Sequence, residues 1–149
     1  VDLLYEAAML AERLDRIKVM EARLRRVITL KPDHAHAFNA LGYSLADRGL
    51  RLKEAESLIT RALELSPDDP FILDSMGWVR FRRGDGAGAL GHLERAYRMR
   101  QDPEIAAHLG EVLWSLRRRD EASRLFDEAL AAPPDNKQLR DTVRRLRSR

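Results

Sequence analysis

With 149 residues, 44% hydrophobic and 34% charged, the chain is long enough to bury a core as one domain or one repeat array. It has no cysteine, which excludes a disulfide framework, a thiolate metal site and a cysteine nucleophile. The pI near 9.6 suggests nucleic acid until the charges are located. Six Lys/Arg against two acids fall in residues 135–149, leaving 21 basic and 22 acidic residues elsewhere, so no nucleic-acid partner is expected.

From the N-terminus, residues 1–34 read as a helix pair. Its inner helix covers roughly Asp2–Leu14, with Leu3, Leu4, Ala7, Ala8 and Ala11 apolar, and its outer helix roughly Lys18–Leu30, with Leu24, Val27, Ile28 and Leu30. Residues 35–69 repeat the plan most cleanly, with Phe38, Leu41, Gly42 and Leu45, then Ala55, Leu58, Ile59, Ala62 and Leu65. One extra residue within Asp47–Lys53 predicts a longer turn around Gly49. Residues 70–102 form the third unit, and Arg100-Gln101-Asp102-Pro103 at its close predicts a shorter turn. The fourth, residues 103–134, carries Leu109, Gly110, Leu113, Ala122, Phe126 and Ala129. Residues 135–149 predict one more helix, apolar only at Leu139, Val143 and Leu146, which suits a terminal cap with one face on the last repeat and the other in water. All six prolines fall between predicted helices, where a missing N–H costs nothing, and strand signals are absent. The class is all-α.

The units share a period. Leu41-Gly42, Met76-Gly77 and Leu109-Gly110 are spaced 35 and 33 apart, while Ala55, Ala89, Ala122 and Ala62, Ala96, Ala129 are spaced 34 and 33. Small residues at a helix crossing let backbones approach closely, so a bulkier residue at Gly77 should overpack the crossing. In the first unit Met20 stands where later units have alanine, which predicts a wider pair.

The Leu-Gly…Ala…Phe/Ile…Ala…Pro series of the second and fourth units resembles that of tetratricopeptide repeat (TPR) proteins, and the resemblance covers essentially the whole chain. It implies a right-handed α-solenoid of about four helix-turn-helix repeats plus a capping helix, in a single array over residues 1–149. It also implies a concave groove lined by the inner helices. Carried onto this chain, the groove-facing set is Tyr5, Met9, Asn39, Tyr43, Asp74, Trp78, Phe81, Glu111 and Trp114. The family's basic clamp for a C-terminal carboxylate falls here on Tyr5, Met9, Ala40, Phe71 and Ser75, so that mode of binding is not expected. The stretches from Leu3 to Asp15, Asn39 to Arg48 and Ile72 to Val79 look like the C-terminal repeats of bacterial TPR proteins exported as outer-membrane lipoproteins. That closer likeness implies a periplasmic, outer-membrane-associated parent with repeats upstream, a cytoplasmic one being the alternative. The opening on Val1 in helical pattern fits a fragment.

Other motifs lead elsewhere only on their face. Gly86-Ala87-Gly88-Ala89-Leu90-Gly91 satisfies GxGxxG, but a helix precedes it where a nucleotide site needs a strand, so it reads as a soft, glycine-rich start to an outer helix. Gly42-Tyr43-Ser44-Leu45-Ala46 lacks the second glycine of a nucleophile elbow. His34, His36, His92 and His108 show no metal-ligand spacing and are expected at the surface or in the groove, with no metal or other cofactor. Asp33, Asp68 and Asp69 suit helix N-termini rather than acid–base work. The basic Arg140–Arg149 segment reads as a solvated cap face.

Trp78 directly follows Gly77, about 100° around the helix from the packed face, so it is expected to be exposed in the groove. Phe81 and Trp114 are expected to bridge core and groove, with Asn39, Asp74 and Glu111 beside these aromatics. The expected function is a non-enzymatic scaffold or adaptor that holds a protein or peptide of apolar and partly basic character. The alternatives are self-association through the first unit, or an arm of an enzyme whose catalytic domain lies outside this chain.

Overall fold

The computed structural model describes residues 1–148; Arg149, the last basic residue of the tail, lies outside them. The described residues form nine helices and no strand, as the all-α reading expects. They divide into two compact units, Val1–Asp68 and a second from Asp69 onward. The first unit holds α1 (Asp2–Arg13), α2 (Ile17–Leu30), α3 (Ala35–Asp47) and α4 (Leu52–Leu65). The second holds α5 (Pro70–Arg82), α6 (Gly86–Met99), α7 (Pro103–Ser115), α8 (Arg119–Ala131) and α9 (Lys137–Arg147).

The turns inside the four helix pairs follow one plan. Each has a residue in the left-handed region: Asp15 (φ 58°), Gly49 (φ 67°), Gly84 (φ 90°) and Arg117 (φ 65°). The next N–H then returns to a carbonyl five residues back, Arg16 to Ala11 (2.8 Å), Leu50 to Leu45 (2.9 Å), Asp85 to Arg80 (2.9 Å) and Arg118 to Leu113 (2.9 Å). This closure satisfies helix-end carbonyls and turns the chain back on itself. The second turn has an additional residue, Arg51, also left-handed at φ 43°, so the turn around Gly49 is the longer one. Between pairs, Arg100–Asp102 is one residue shorter than Lys31–His34, as the sequence implies.

The helix starts follow their caps. Asp69 accepts from the N–H groups of Phe71 and Ile72, and Asp102 from those of Glu104 and Ile105, each followed by proline in the first helical turn. His34 rather than Asp33 caps α3, its Nδ1 accepting from Ala37 N–H at 3.1 Å.

The periodic small residues mark the crossings. A Cβ on Gly42 would stand 2.6 Å from Ile59 Cγ1 and 2.9 Å from Ala55 O; on Gly77 it would stand 2.5 Å from Leu93 Cγ. On Gly110 it would run into the Phe126 ring. In the first pair Ala8 is buried, and Met20, Leu24 and Val27 line α2 beneath it. In the second unit one apolar cluster gathers Leu93, Leu109, Leu113 and Phe126 with Leu139, Val143 and Leu146 of α9. The last helix thus covers α7 and α8 with one face and leaves its charged residues in water. No helix of the described residues is long and apolar enough to cross a membrane.

Candidate functional site

The first unit holds four of the nine expected partner-facing residues, all half-buried. Tyr5 on α1 packs its ring against His34, with centroids 4.7 Å apart. Its hydroxyl is raised above its usual range, first by burial and then by the nearby Glu12 charge. Met9 lies on the same helix, and Asn39 on α3 has a buried Oδ1 without a hydrogen-bond partner. Tyr43 lines a recess with Glu12, Asp15, Ile17, Ser44, Asp47 and Arg48. Three carboxylates therefore face one guanidinium around an aromatic wall. Burial pushes the Glu12 carboxyl up, with Arg13 opposing it. A cationic group entering here would meet an acidic, partly desolvated surface, where attraction is stronger than in bulk water.

The second unit holds the other five, and two of them are not where the sequence reading puts them. Trp78 is only 6% exposed and Asp74 likewise 6%. The rotation away from Gly77 does not bring Trp78 to solvent, because α5 is buried on every side from Ile72 to Val79. Asp74 and Trp78, four residues apart, share the face of α5 turned toward α7. There the Asp74 carboxylate lies 2.8 Å from His108 Nδ1, and the indole stacks on the imidazole at 4.2 Å between centroids. His108 Nε2 is 3.2 Å from the Gln138 amide nitrogen of α9. An imidazole protonated on Nδ1 donates to Asp74 and accepts from Gln138, so one ring satisfies partners on α5 and α9. Burial pushes the Asp74 carboxyl upward, against the pull of His108.

This Asp–His pair was not expected from sequence, where His108 is read as a surface or groove residue. The available signal was spacing: Asp74 and His108 are 34 residues apart, one repeat period. Chemically the pair is closed. His108 is 3% exposed, both ring nitrogens face side chains, and the nearby Ser75 hydroxyl donates to Phe71 O. It joins three helices rather than meeting a substrate.

The other three residues are half-buried. Phe81 contacts Trp78, with centroids 5.3 Å apart, and leans on the core of the unit. Trp114 does the same beneath the Arg119 guanidinium, 4.8 Å from its ring centre. Glu111 pairs with Arg145 of α9 at 2.5 Å. Among the described residues no group of three or more His, Cys, Asp or Glu is arranged to hold a metal.

Two family models, both described as tetratricopeptide repeat, match residues 5–70 and 80–146. A TPR repeat-containing protein of Pseudomonas aeruginosa, PA4667, is 49% identical over 111 residues, or 74% of this chain. The match spans 19% of that relative's length. Among solved structures, the thermophilic TPR protein TTC0263 of Thermus thermophilus superposes with a TM-score of 0.83 at 22% identity, covering 98% of this chain and 80% of its own. YrrB, described as a TPR protein with an unusual peptide-binding site, gives 0.66 at 17% identity, covering 97% and 84%. At these identities the two structures speak for the fold alone.

Proposed function

The chain belongs to the tetratricopeptide repeat family, and from that premise we propose that it is a non-enzymatic binding module for a protein or peptide segment. The observation that carries this reading is the recess at Tyr43, where Glu12, Asp15 and Asp47 surround an aromatic face. A ligand side chain that pairs an apolar stem with a cationic head, lysine or arginine, suits such a wall. Met9 and Tyr5 on α1 and Asn39 on α3 supply further half-buried contacts on the same two helices. In the second unit Phe81, Glu111 and Trp114 are the remaining candidates, while Asp74 and Trp78 serve by fixing the α5–α7 face. The peptide-binding site named for YrrB is a property of that protein, and supports only the class of ligand.

The test is a panel of labelled peptides with and without Lys/Arg, titrated against the wild type, Tyr43→Ala and Asp47→Asn. Each variant should weaken basic peptides about three- to tenfold, as expected for one aromatic or charged contact, without lowering the melting temperature by more than a few degrees. Unchanged affinity in both would place the site elsewhere.

A second reading rests on α1. Leu3 is 82% exposed, with Leu10 and Leu14 also open to solvent. These apolar side chains favour self-association, or docking within a longer parent. Light scattering across a concentration series tests the first of these: a constant mass for wild type and Leu3→Glu alike would exclude self-association. The likeness of Leu3–Asp15, Asn39–Arg48 and Ile72–Val79 to repeats of exported lipoproteins favours a periplasmic, outer-membrane-associated parent, with a cytoplasmic one as the alternative, which fractionation of cells expressing it would decide.

A further inference from the structure

In the second unit α5, α7 and α9 run in the same direction, so their C-terminal ends meet at one edge with the α5–α6 and α7–α8 turns. Contacts fix this placement. A Cβ on Gly86 would lie 3.2 Å from Leu116, which brings the two turns together. Gln138 at the start of α9 meets His108 and Arg145 near its end meets Glu111, so α9 runs with α7, and Arg147 reaches Ser123 O in the first half of α8 at 3.4 Å. Residues 80–85, 117–121 and 144–148 of this edge contain nine arginines and three acids. The opposite edge, Asp69 with residues 98–104 and 132–138, contains three basic and four acidic residues. Glu111 and Asp127 pair with Arg145 and Arg147, and the remaining seven arginines against three acids still sort the basic charge of the unit to one side.

Folding alone accounts for part of this. Arg80, Arg82, Arg144, Arg145 and Arg147 lie in the last turns of α5 and α9, where cations complement the helix dipole. It does not account for Arg117-Arg118-Arg119. Arg117 occupies a left-handed conformation that favours glycine, Arg118 stands at an N-cap without capping α8, and Arg119 puts a cation at the positive end of that helix. The preceding turn of the same unit meets the same geometry with other residues. It places Gly84 at the left-handed position and Asp85 at the cap, where its carboxylate accepts from Gly88 N–H at 2.9 Å. Single uncapped arginines also open α2 and α4, at Arg16 and Arg51, but here three arginines run together in an open recess lined by Arg117 to Glu121, which is more cation than the turn requires.

We propose that this arginine edge is a second interaction surface, separate from the Tyr43 recess, and that it binds a carboxylate-rich segment of a protein partner. Guanidinium groups match carboxylates through paired N–H donors, as Arg118 already does with Glu121 at 2.8 Å for both bonds. Nucleic acid is the poorer fit, because the aromatics near this edge are engaged instead of open for base stacking: Trp114 lies under Arg119 and Phe81 packs against Trp78. A membrane surface is poorer too. The large apolar side chains exposed in this unit, Phe71, Met99 and Leu130, lie at the ends of helices on the other edge.

The experiment titrates a labelled hexaglutamate peptide, a hexanucleotide single strand and phosphatidylglycerol-containing vesicles against the 149-residue chain. Two double variants remove equal charge, Arg117→Gly with Arg119→Gln, and Arg100→Gln with Lys137→Gln on the opposite edge. The first should weaken peptide binding roughly tenfold, the sum of two exposed ion pairs, while melting at or above the wild-type temperature because Gly suits position 117. The second should bind the peptide like wild type. Equal losses in the two variants, no loss in the first, or tighter binding of the oligonucleotide or vesicles than of the peptide would each overturn the proposal.

Discussion

Gly91 and Gly110 both sit inside helices, and only one of them has a reason to be glycine. A Cβ on Gly110 would enter the Phe126 ring, whereas one on Gly91 would meet nothing within 4 Å. Gly110→Ala should therefore destabilise the chain by roughly 1–3 kcal/mol through overpacking. Gly91→Ala should stabilise it by about 0.4–1 kcal/mol through a smaller loss of backbone entropy. Opposite shifts in melting temperature are expected, and shifts of the same sign would refute the assignment of the crossing. The repeat spacing made Gly110 legible, because its partners recur one period apart. Nothing in the sequence distinguished Trp78 from a groove aromatic. Its burial depends on His108 facing it from a helix one repeat away, and a one-residue rotation argument does not see across helices. The pair beneath it makes a sharper prediction. His108→Leu leaves the buried Asp74 carboxylate without its partner and should cost about 3–5 kcal/mol. Adding Asp74→Leu removes the orphaned charge and should recover much of that. A double variant no more stable than the single one would show that the pair's packing, rather than its charge, matters.

At the scale of elements, the first unit ties α2 to the turn between α3 and α4 through charge. The Glu21 carboxylate meets Arg25 at 3.0 Å and Arg51 at 2.5 Å, and Arg25 reaches Glu54 at 2.6 Å. Burial alone would raise the Glu21 carboxyl, but the hydrogen bonds from Arg25 and Arg51 outweigh it and hold the group below its usual range. A carboxyl whose folded value is depressed stabilises the fold above its unfolded value, and that stability fades as pH falls through the folded value. Glu21→Gln should thus cost up to about 1 kcal/mol at neutral pH, given the exposure of its partners. The gap in melting temperature between wild type and variant should close as pH drops below about 4. A gap independent of pH would mean that Glu21 acts through packing instead. The sequence indicated the extra residue of this turn but not the network, which joins residues about 30 positions apart with no repeating pattern. Helix α6 makes the complementary case, since its soft start was legible from composition alone. Gly86, Gly88 and Gly91 lower its local stability, although Asp85 caps it. Amides at its N-terminal end should exchange faster than those of Ser57–Leu65 in α4, and equal protection would contradict this.

Across the whole molecule, periodicity disclosed the helices, their order and their packing residues, because a repeat states the same instruction several times. It did not disclose how evenly stability is shared. Seven of the ten large apolar side chains exposed among the described residues, from Val1 to Leu50, belong to the first unit. The second unit instead encloses Phe126, Leu93 and Leu113 and closes over them with α9. Burial of apolar surface is the main favourable term in folding, so the first unit should be the weaker of the two. Repeat proteins need not unfold as a single cooperative block, which leaves room for the difference to be seen. Both tryptophans, Trp78 and Trp114, are in the second unit, so their fluorescence reports on it alone, whereas far-UV circular dichroism counts helices in both. In a urea titration the helical signal should begin to fall before the fluorescence changes, with the fluorescence midpoint at higher urea. Glu21→Gln should widen the separation by moving only the early part of the dichroism curve. Superimposable transitions, in wild type and variant alike, would mean that the two units unfold as one and that the exposed leucines of α1 carry no penalty for the stability of their unit.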